Sequence, residues 1–376
     1  MSHFTRENWL TIIPFASETL GLTKTQSGLF ITAFYIGYVI LQIPAGILID
    51  RLKSFKIFGA VLIAMGVTTF LTGLINNFFQ GLILEFLTGI SGCFVFPLGI
   101  KIIATYFPKN KRGTATGIFL MAPQVGKMLV GLILPSIMLI NGWRWGFFAT
   151  GIPSIIFGIF LIIFFKKDFR ETSTGLESIS RSAKIEIKAL FSNRNTLLIL
   201  ISIFLFNVSR NGINTWLYDY LVTSRGVSEI LAGVIFSSLS IGVIFSTPFF
   251  GLLSDRFKER KSLAFTSAFL YAIALLIFGT LIDPIILVST VFCMGLISSG
   301  FSAPMFTLAT ESVMASSAGT TGGFINMFGQ SASIIAPTLF GYILDISDSY
   351  SWVFIFGAAI SACAGVFALF LKKKNT

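Results

Sequence analysis

Apolar runs of about twenty residues follow one another along nearly the whole chain, at 27–49, 57–76, 79–106, 114–140, 144–165, 195–221, 230–253, 262–281, 285–310, 319–344 and 350–371. A helix of that length spans the roughly 30 Å hydrocarbon layer of a bilayer, so the pattern predicts eleven membrane-crossing helices. Short polar segments separate most of them. One connection is long, "KKDFRETSTGLESISRSAKIEIKALFSNRN" at 166–195, and it divides the chain into a helical bundle at 1–165, a cytoplasmic linker at 166–194 and a second bundle at 195–376. The run at 27–49 is expected to be retained rather than cleaved, because acidic and amide-bearing residues precede it and no small-residue cleavage pattern follows.

Both bundles carry the same marks. "GILIDRLKSFK" at 46–56 recurs as "GLLSDRFKERK" at 251–261, placing Asp50 and Asp255 205 residues apart. "GTATGIFLMAPQ" at 113–124 recurs as "GTTGGFINMFGQ" at 319–330, with Gly113, Thr114, Gly117 and Gln124 repeated at an offset of 206 as Gly319, Thr320, Gly323 and Gln330. Two motifs at one offset indicate duplication of a multi-helix unit, a frequent plan of transporters. Arg6 and Arg210 then occupy corresponding places. About fifteen residues of span precede Arg210 and only five precede Arg6, so 4–17 reads as a first helix lacking its cytoplasmic part, which restores a count of twelve.

Composition narrows the class. Hydrophobic residues make up 54% and charged residues 11% of the chain, and the mean hydropathy is +0.86, which excludes a water-soluble globule. Cys93, Cys293 and Cys363 lie inside runs with no pairing or metal spacing. The single histidine, His3, and the absence of a nucleophile with its base argue against an enzyme and against a cofactor. Most of the 27 Lys and Arg fall in the connections at 50–56, 107–113, 166–194 and 254–261 and in the C-terminal tail, whereas the opposite connections hold Lys24, Arg144 and Arg225. The first set is therefore expected in the cytoplasm together with the C-terminus, in a multi-pass protein of the cell membrane. The net charge of +11 is then a topology signal and a match to anionic lipid, with no nucleic acid implied.

Four cations remain inside runs: Arg6, Lys101, Lys127 and Arg210. An unpaired cation at bilayer depth costs about 3 kcal/mol on insertion scales, so it persists beside an acid, near an interface or along a polar cavity. Glu85 is the one acid read as lying well inside a span, with Lys101 as a possible partner, which leaves cations to attract an anion. A helical period places Asn207, Arg210, Asn214 and Tyr218 on one stripe, and Gln124 with Lys127 on another. Such amides also serve as interhelical hydrogen bonds. Arginine offers a planar fork to phosphate or carboxylate oxygens, and lysine adds a point charge.

These motifs resemble the major facilitator superfamily, whose loop signature Gly-x-x-x-Asp-Arg is met by Gly46, Asp50, Arg51 and by Gly251, Asp255, Arg256. Within it the chain is similar to the organophosphate:phosphate antiporters and the anion:cation symporters of sugar acids. "REN" with Pro14, "RNGINTW" at 210–216 and "FPLGIKIIATYFPKNKRG" at 96–113 carry that likeness. The resemblance implies an all-α fold of two six-helix repeats and alternating access. Arg6 and Arg210 match the arginines that clamp the phosphate in the phosphate exchangers, and the resemblance implies that role for them. Departures accompany it: Thr5 and Gly92 stand where many symporters have acids, Glu85 where an arginine is usual, Gln42 and Pro123 where glycerol-phosphate exchangers have lysine and histidine.

The sequence thus points to a monomeric secondary transporter of a small organic anion, a sugar phosphate or sugar acid, bound by Arg6, Lys101, Gln124, Lys127, Asn207, Arg210, Asn214 and Tyr218. Anion exchange leads narrowly over proton coupling through Glu85, and a carboxylate symporter or a non-transporting solute sensor are the alternatives. A cation exporter is disfavoured because it should show acids where these Arg and Lys stand. Asp50, Arg51, Arg112, Asp255 and Arg256 are the expected cytoplasmic gate. Asp50→Asn is expected to shift the distance distribution between spin labels on the two halves. An unchanged distribution with a full transport rate would remove Asp50 from that role.

Overall fold

The computed structural model describes residues 2–49, 54–108, 111–164, 194–257, 260–311 and 318–371. Every element in them is helical. Two short helices open the chain, α1 (Ser2–Arg6) and α2 (Trp9–Leu20), and together they form the first crossing segment. There follow α3 (Lys24–Ile49), α4 (Ser54–Thr72), α5 (Phe78–Gly92) running on into α6 (Val95–Tyr106), α7 (Arg112–Asn141) and α8 (Arg144–Phe164). The back half holds α9 (Arg194–Asp219, continued by a π turn at Tyr220–Ser224), α10 (Glu229–Phe257), α11 (Arg260–Phe278), α12 (Pro284–Glu311), α13 (Ala318–Ser347) and α14 (Tyr350–Leu369). With α1–α2 and α5–α6 each counted as one segment, the chain is a twelve-helix polytopic membrane protein, and the expected apolar runs coincide with these elements.

Local signals set the boundaries. Gly21 ends α2 in the left-handed region at φ 62° and its N–H reaches back to Glu18 O and Ser17 O. Asn77 caps α5 by accepting from Gln80 N at 3.0 Å, while Gln80 Oε1 accepts from Asn76 N at 2.9 Å.

Large apolar side chains occupy both the interior, where Phe30, Phe206 and Trp216 are fully buried, and the outer faces of the helices. Ile140 is 81% exposed and Phe79 71%, as expected of lipid-facing positions, because lipid solvates them as well as a protein interior does. Glycines let backbones meet. Gly59 and Gly66 on α4, and Gly73 just past its end, recur every seven residues and form one seam against α8. A Cβ at Gly66 would sit 2.7 Å from Gly151 O, and one at Gly151 2.8 Å from Gly66 O; Gly59 and Gly158 repeat the arrangement at 2.7 and 2.6 Å.

The duplication is visible in the packing itself. A Cβ on Gly37 would meet Phe86 O at 2.4 Å and Ile90 N at 3.0 Å, and one on Gly242 would meet Phe292 O at 2.3 Å and Leu296 N at 3.0 Å. Ser154 Oγ donates to Leu62 O at 3.0 Å, and Ser361 Oγ donates to Ala268 O at 2.8 Å. The same contacts therefore recur about 206 positions later.

Two compact units are present. One comprises Met1–Phe169, Asn214–Ile241 and Ile334–Tyr350; the other comprises Arg170–Ile213, Gly242–Ser333 and Ser351–Thr376. Within the first, the ends of back-half helices pack on the front half through polar contacts. The Asp345 carboxylate accepts from Lys24 N at 2.9 Å, Thr25 N at 2.8 Å and Thr25 Oγ1 at 2.5 Å, which neutralises the positive end of α3. Lys24 Nζ lies 2.6 Å from Asp219 Oδ2, and the Tyr350 hydroxyl donates to the same oxygen. Gly131 of α7 and Gly233 of α10 approach so closely that a Cβ on Gly233 would lie 2.1 Å from Gly131 O.

Gly66→Val should force α4 from α8 and cost about 1–3 kcal/mol by overpacking. Gly117→Ala, with nothing within 4 Å of its added Cβ, should leave the protein unchanged. Thermal unfolding in detergent reads both, and equal midpoints would show that the seam tolerates side chains.

Candidate functional site

The buried polar cluster of the first unit begins at the junction of α1 and α2. Asn8 Nδ2 donates to Thr150 Oγ1 on α8 at 2.6 Å, and Trp9 stacks on Phe30 at 4.4 Å and meets the edge of Phe147 at 5.0 Å. On the other side, α1 lies against α7 so tightly that a Cβ on Gly126 would be 2.8 Å from His3 Cβ. These contacts fix Arg6 and Glu7 between α3 and α7.

Arg6 is held by aromatic rings. Its Nη2 donates to the Tyr35 hydroxyl at 2.6 Å, and its guanidinium carbon lies 4.7, 5.2 and 5.4 Å from the ring centres of Tyr35, Tyr38 and Phe34 on α3. Ring faces attract a cation without neutralising it. Glu7, 5% exposed, supplies the acid: Oε1 is 3.6 Å from Arg6 Nε and Oε2 is 3.5 Å from Lys127 Nζ on α7. Two cations thus share one carboxylate and the trio keeps one uncompensated positive charge. Arg6 Nε is buried without a hydrogen-bond acceptor.

Other predicted residues are distributed differently. Gln124 is half-buried on α7, three positions before Lys127. Lys101 Nζ donates to Ile49 O at 2.8 Å, at the C-terminal end of α3, so it stabilises a helix terminus there. Glu85 is buried on α5 against Trp9. The stripe on α9 is divided: Asn207 and Arg210 belong to the second unit, Asn214 and Tyr218 to the first. Arg210 Nη2 donates to Asn207 Oδ1 at 2.8 Å. Asn214 is buried with no hydrogen bond to its Oδ1, and Tyr218 is fully buried with its hydroxyl donating to Glu229 O at 3.2 Å. That hydroxyl is committed to the protein.

Of the expected gate, Asp50 and Arg51 lie outside the described residues, as does the side chain of Asp255 at the end of α10. Arg256 is exposed beside it. Arg112 donates from Nε to Phe107 O at 3.0 Å and from Nη2 to Ala104 O at 2.5 Å, covering the carbonyl end of α6.

Glu7 is the residue that the charge accounting over the apolar runs misses. It follows Arg6 directly, but a stretch too short to count as a span leaves its carboxylate outside the tally of internal acids. Lys24 and Asp219 are missed as a pair for a related reason, since each sits at the end of a run and nothing in a run reveals what faces it.

Twelve helical segments arranged as two repeats are the plan of a membrane transporter of solutes. Residues 1–337 match the family model of the Major Facilitator Superfamily, and the chain belongs to that superfamily. Over 377 residues it is 27% identical to the probable galactarate/D-glucarate transporter GudP of Bacillus subtilis, covering 92% of this chain and 83% of the relative. It is 26% identical to the hexuronate transporter of the same organism (94% and 87%) and 25% identical to the probable sulfoacetate transporter SauU of Cupriavidus necator (99% and 91%). A bacterial homolog of the human lysosomal transporter Spinster, solved in an inward-facing, unoccupied conformation, has the same fold, with a TM-score of 0.81 at 17% identity over 100% of this chain and 96% of that one. These relatives correct the balance of the sequence reading, away from the phosphate antiporters and toward the organic-anion branch.

The Asn8–Thr150 contact gives a test of how the junction is held. Asn8→Ala and Thr150→Val should each destabilise by about 1–3 kcal/mol through a buried hydrogen-bonding group left without its partner. The double variant should cost about 1 kcal/mol less than the two together. Strict additivity in thermal or denaturant unfolding would show that the contact does not hold α2 to α8.

Proposed function

We propose that this protein carries a small hydroxylated carboxylate, of the sugar-acid class, together with protons, as a monomer whose C-terminus faces the cytoplasm. Residues 1–165 and 195–371 are its two moving halves. The observation that carries the reading is the trio of Arg6, Glu7 and Lys127, two largely enclosed cations over one buried acid. A single excess positive charge suits a carboxylate, with one negative charge, better than a phosphomonoester that carries about 1.5 to 2 near neutral pH. The Arg6 fork accepts a planar carboxylate in two-point fashion, and Lys127 adds a mobile charge. Among the solutes named for the relatives, hexuronate is a monocarboxylate and fits this charge count. Galactarate and glucarate are dicarboxylates and sulfoacetate carries a sulfonate and a carboxylate, so those names support the organic-acid class and not the single charge. Arg210, a half-buried guanidinium in the second unit, is a separate candidate for anion contact.

Uptake into proteoliposomes tests the reading with D-glucuronate, galactarate, glucose 6-phosphate and glucose, each with and without an external acid pH gradient. The sugar acids should accumulate and the gradient should raise their accumulation, while glucose should not enter. Arg6→Lys should weaken sugar-acid binding about tenfold, or about 1.4 kcal/mol, because the charge remains and the fork is lost. Arg210→Ala should weaken it by a comparable or larger factor. Preferential glucose 6-phosphate uptake that requires phosphate on the opposite side would replace symport with exchange.

A further inference from the structure

We propose that Glu7 is a built-in competitor for the transported anion: it occupies the Arg6 and Lys127 charges in the empty carrier, and a solute carboxylate that displaces it leaves it to take up one proton. The inference rests on the reading of this cluster as an anion site and adds the residue that links anion to proton.

Geometry is the ground for it. The Glu7 carboxylate stands 3.6 Å from Arg6 Nε and 3.5 Å from Lys127 Nζ. Both separations exceed the about 2.7–2.9 Å of charge-assisted hydrogen bonds, so attraction is present without full coordination. The cause is covalent: Glu7 is the chain neighbour of Arg6, and Asn8 is tied to Thr150, so the acid cannot advance to both cations at once. An untethered carboxylate has no such restraint. Arg6 Nε is a buried donor that lacks an acceptor, which an arriving carboxylate oxygen would satisfy.

Charge then dictates what happens to Glu7. Two carboxylates beside two cations in a buried site would compete, and the one separated from its cations pays the cost of a buried ion unless it is neutralised. Protonation on a carboxylate oxygen removes that cost, with the proton drawn from water on the side to which the site is open. No bond other than the new O–H is made. The groups around Glu7 are His3 and Arg6 on α1, Tyr35 and Tyr38 on α3 beside Arg6, and Lys127 on α7, while Glu85 on α5 lies against the neighbouring Trp9. Neither tyrosine needs to ionise, and His3 and Glu85 are the rival proton acceptors. Thr5 precedes this cluster as a neutral residue, so Glu7, in the turn between α1 and α2, is the acid that this segment contributes.

The test uses the full chain in detergent. A thermal-shift panel of D-glucuronate, galactarate, sulfoacetate and glucose 6-phosphate selects the anion bound most tightly by wild type, and a pH-indicator dye reads proton uptake when that anion is added. Wild type should take up about one proton per anion and bind about tenfold more tightly for each unit of pH lowered across the responsive range. Glu7→Gln, which mimics the neutral form, should bind at least as tightly as wild type at pH 8, take up no proton and lose the pH dependence. In proteoliposomes it should keep anion counterflow and lose gradient-driven accumulation. Glu7→Asp keeps the acid and should keep proton uptake, which guards against a misfolded Glu7→Gln. His3→Gln and Glu85→Gln should keep the proton uptake on anion addition.

Proton uptake that survives in Glu7→Gln, or that disappears in His3→Gln or Glu85→Gln while Glu7→Gln retains it, overturns the proposal. A panel in which only sulfoacetate or glucose 6-phosphate binds sinks the sugar-acid reading, and the Glu7 measurements then decide the competitor role with that anion. If no anion shifts either wild type or Glu7→Gln, both ideas fail together.

Discussion

Two cations that are largely withdrawn from solvent must be accommodated by a protein whose surroundings are hydrocarbon, and most of the arrangement at the start of the chain follows from that. Arg6 is not neutralised by an acid at close range. It is enclosed by three aromatic rings and a tyrosine hydroxyl, with the Glu7 carboxylate shared between it and Lys127. Ring faces lower the cost of a desolvated cation while leaving its donors directed outward. A close salt bridge would have held both charges more tightly and, in the proposed role of the trio, would leave little for a ligand to gain.

Such a site has to be built on rigid neighbours, because a carboxylate that could slide by an ångström would close onto one cation and expose the other. The junction of α1 and α2 is held on one side by the amide of Asn8 against Thr150 and by Trp9 between Phe30 and Phe147. On the other side, Gly126 lets α1 touch α7 at backbone distance. The glycine seam between α4 and α8 does the same for the scaffold behind it. Without a hydrophobic drive between helices in lipid, close packing and interhelical hydrogen bonds must supply the cohesion.

The opposite problem is met by Asp345 and Asp219. Both accept hydrogen bonds from the first turn of α3 or from Lys24, so at this end the contacts that join front-half and back-half segments of the first unit are charged and directional, beside the close glycine packing of α7 on α10. Ion pairs and caps of this kind can be exchanged for water when they open, whereas a buried apolar face cannot without a large cost. A transporter that alternates its access needs contacts of the first kind where its segments separate.

The membrane class, the positions of the crossing helices and the duplication are legible along the chain, because hydropathy length and a fixed offset are properties read in one dimension. The repeat contacts of Gly37 and Gly242, and of Ser154 and Ser361, return in three dimensions what the motif spacing implied. Helical periodicity also placed Gln124 and Lys127 on one stripe and joined Asn207 to Arg210. What it could not decide was which element each stripe faces. Only the tertiary structure brought Lys127 to Glu7, turned Lys101 to the carbonyl of Ile49 and committed the Tyr218 hydroxyl to Glu229. It also divided the α9 stripe between two units after Ile213. The reason is physical: a 3.6-residue period fixes the direction of a side chain about its own helix axis, and the partner it meets depends on how separate helices pack.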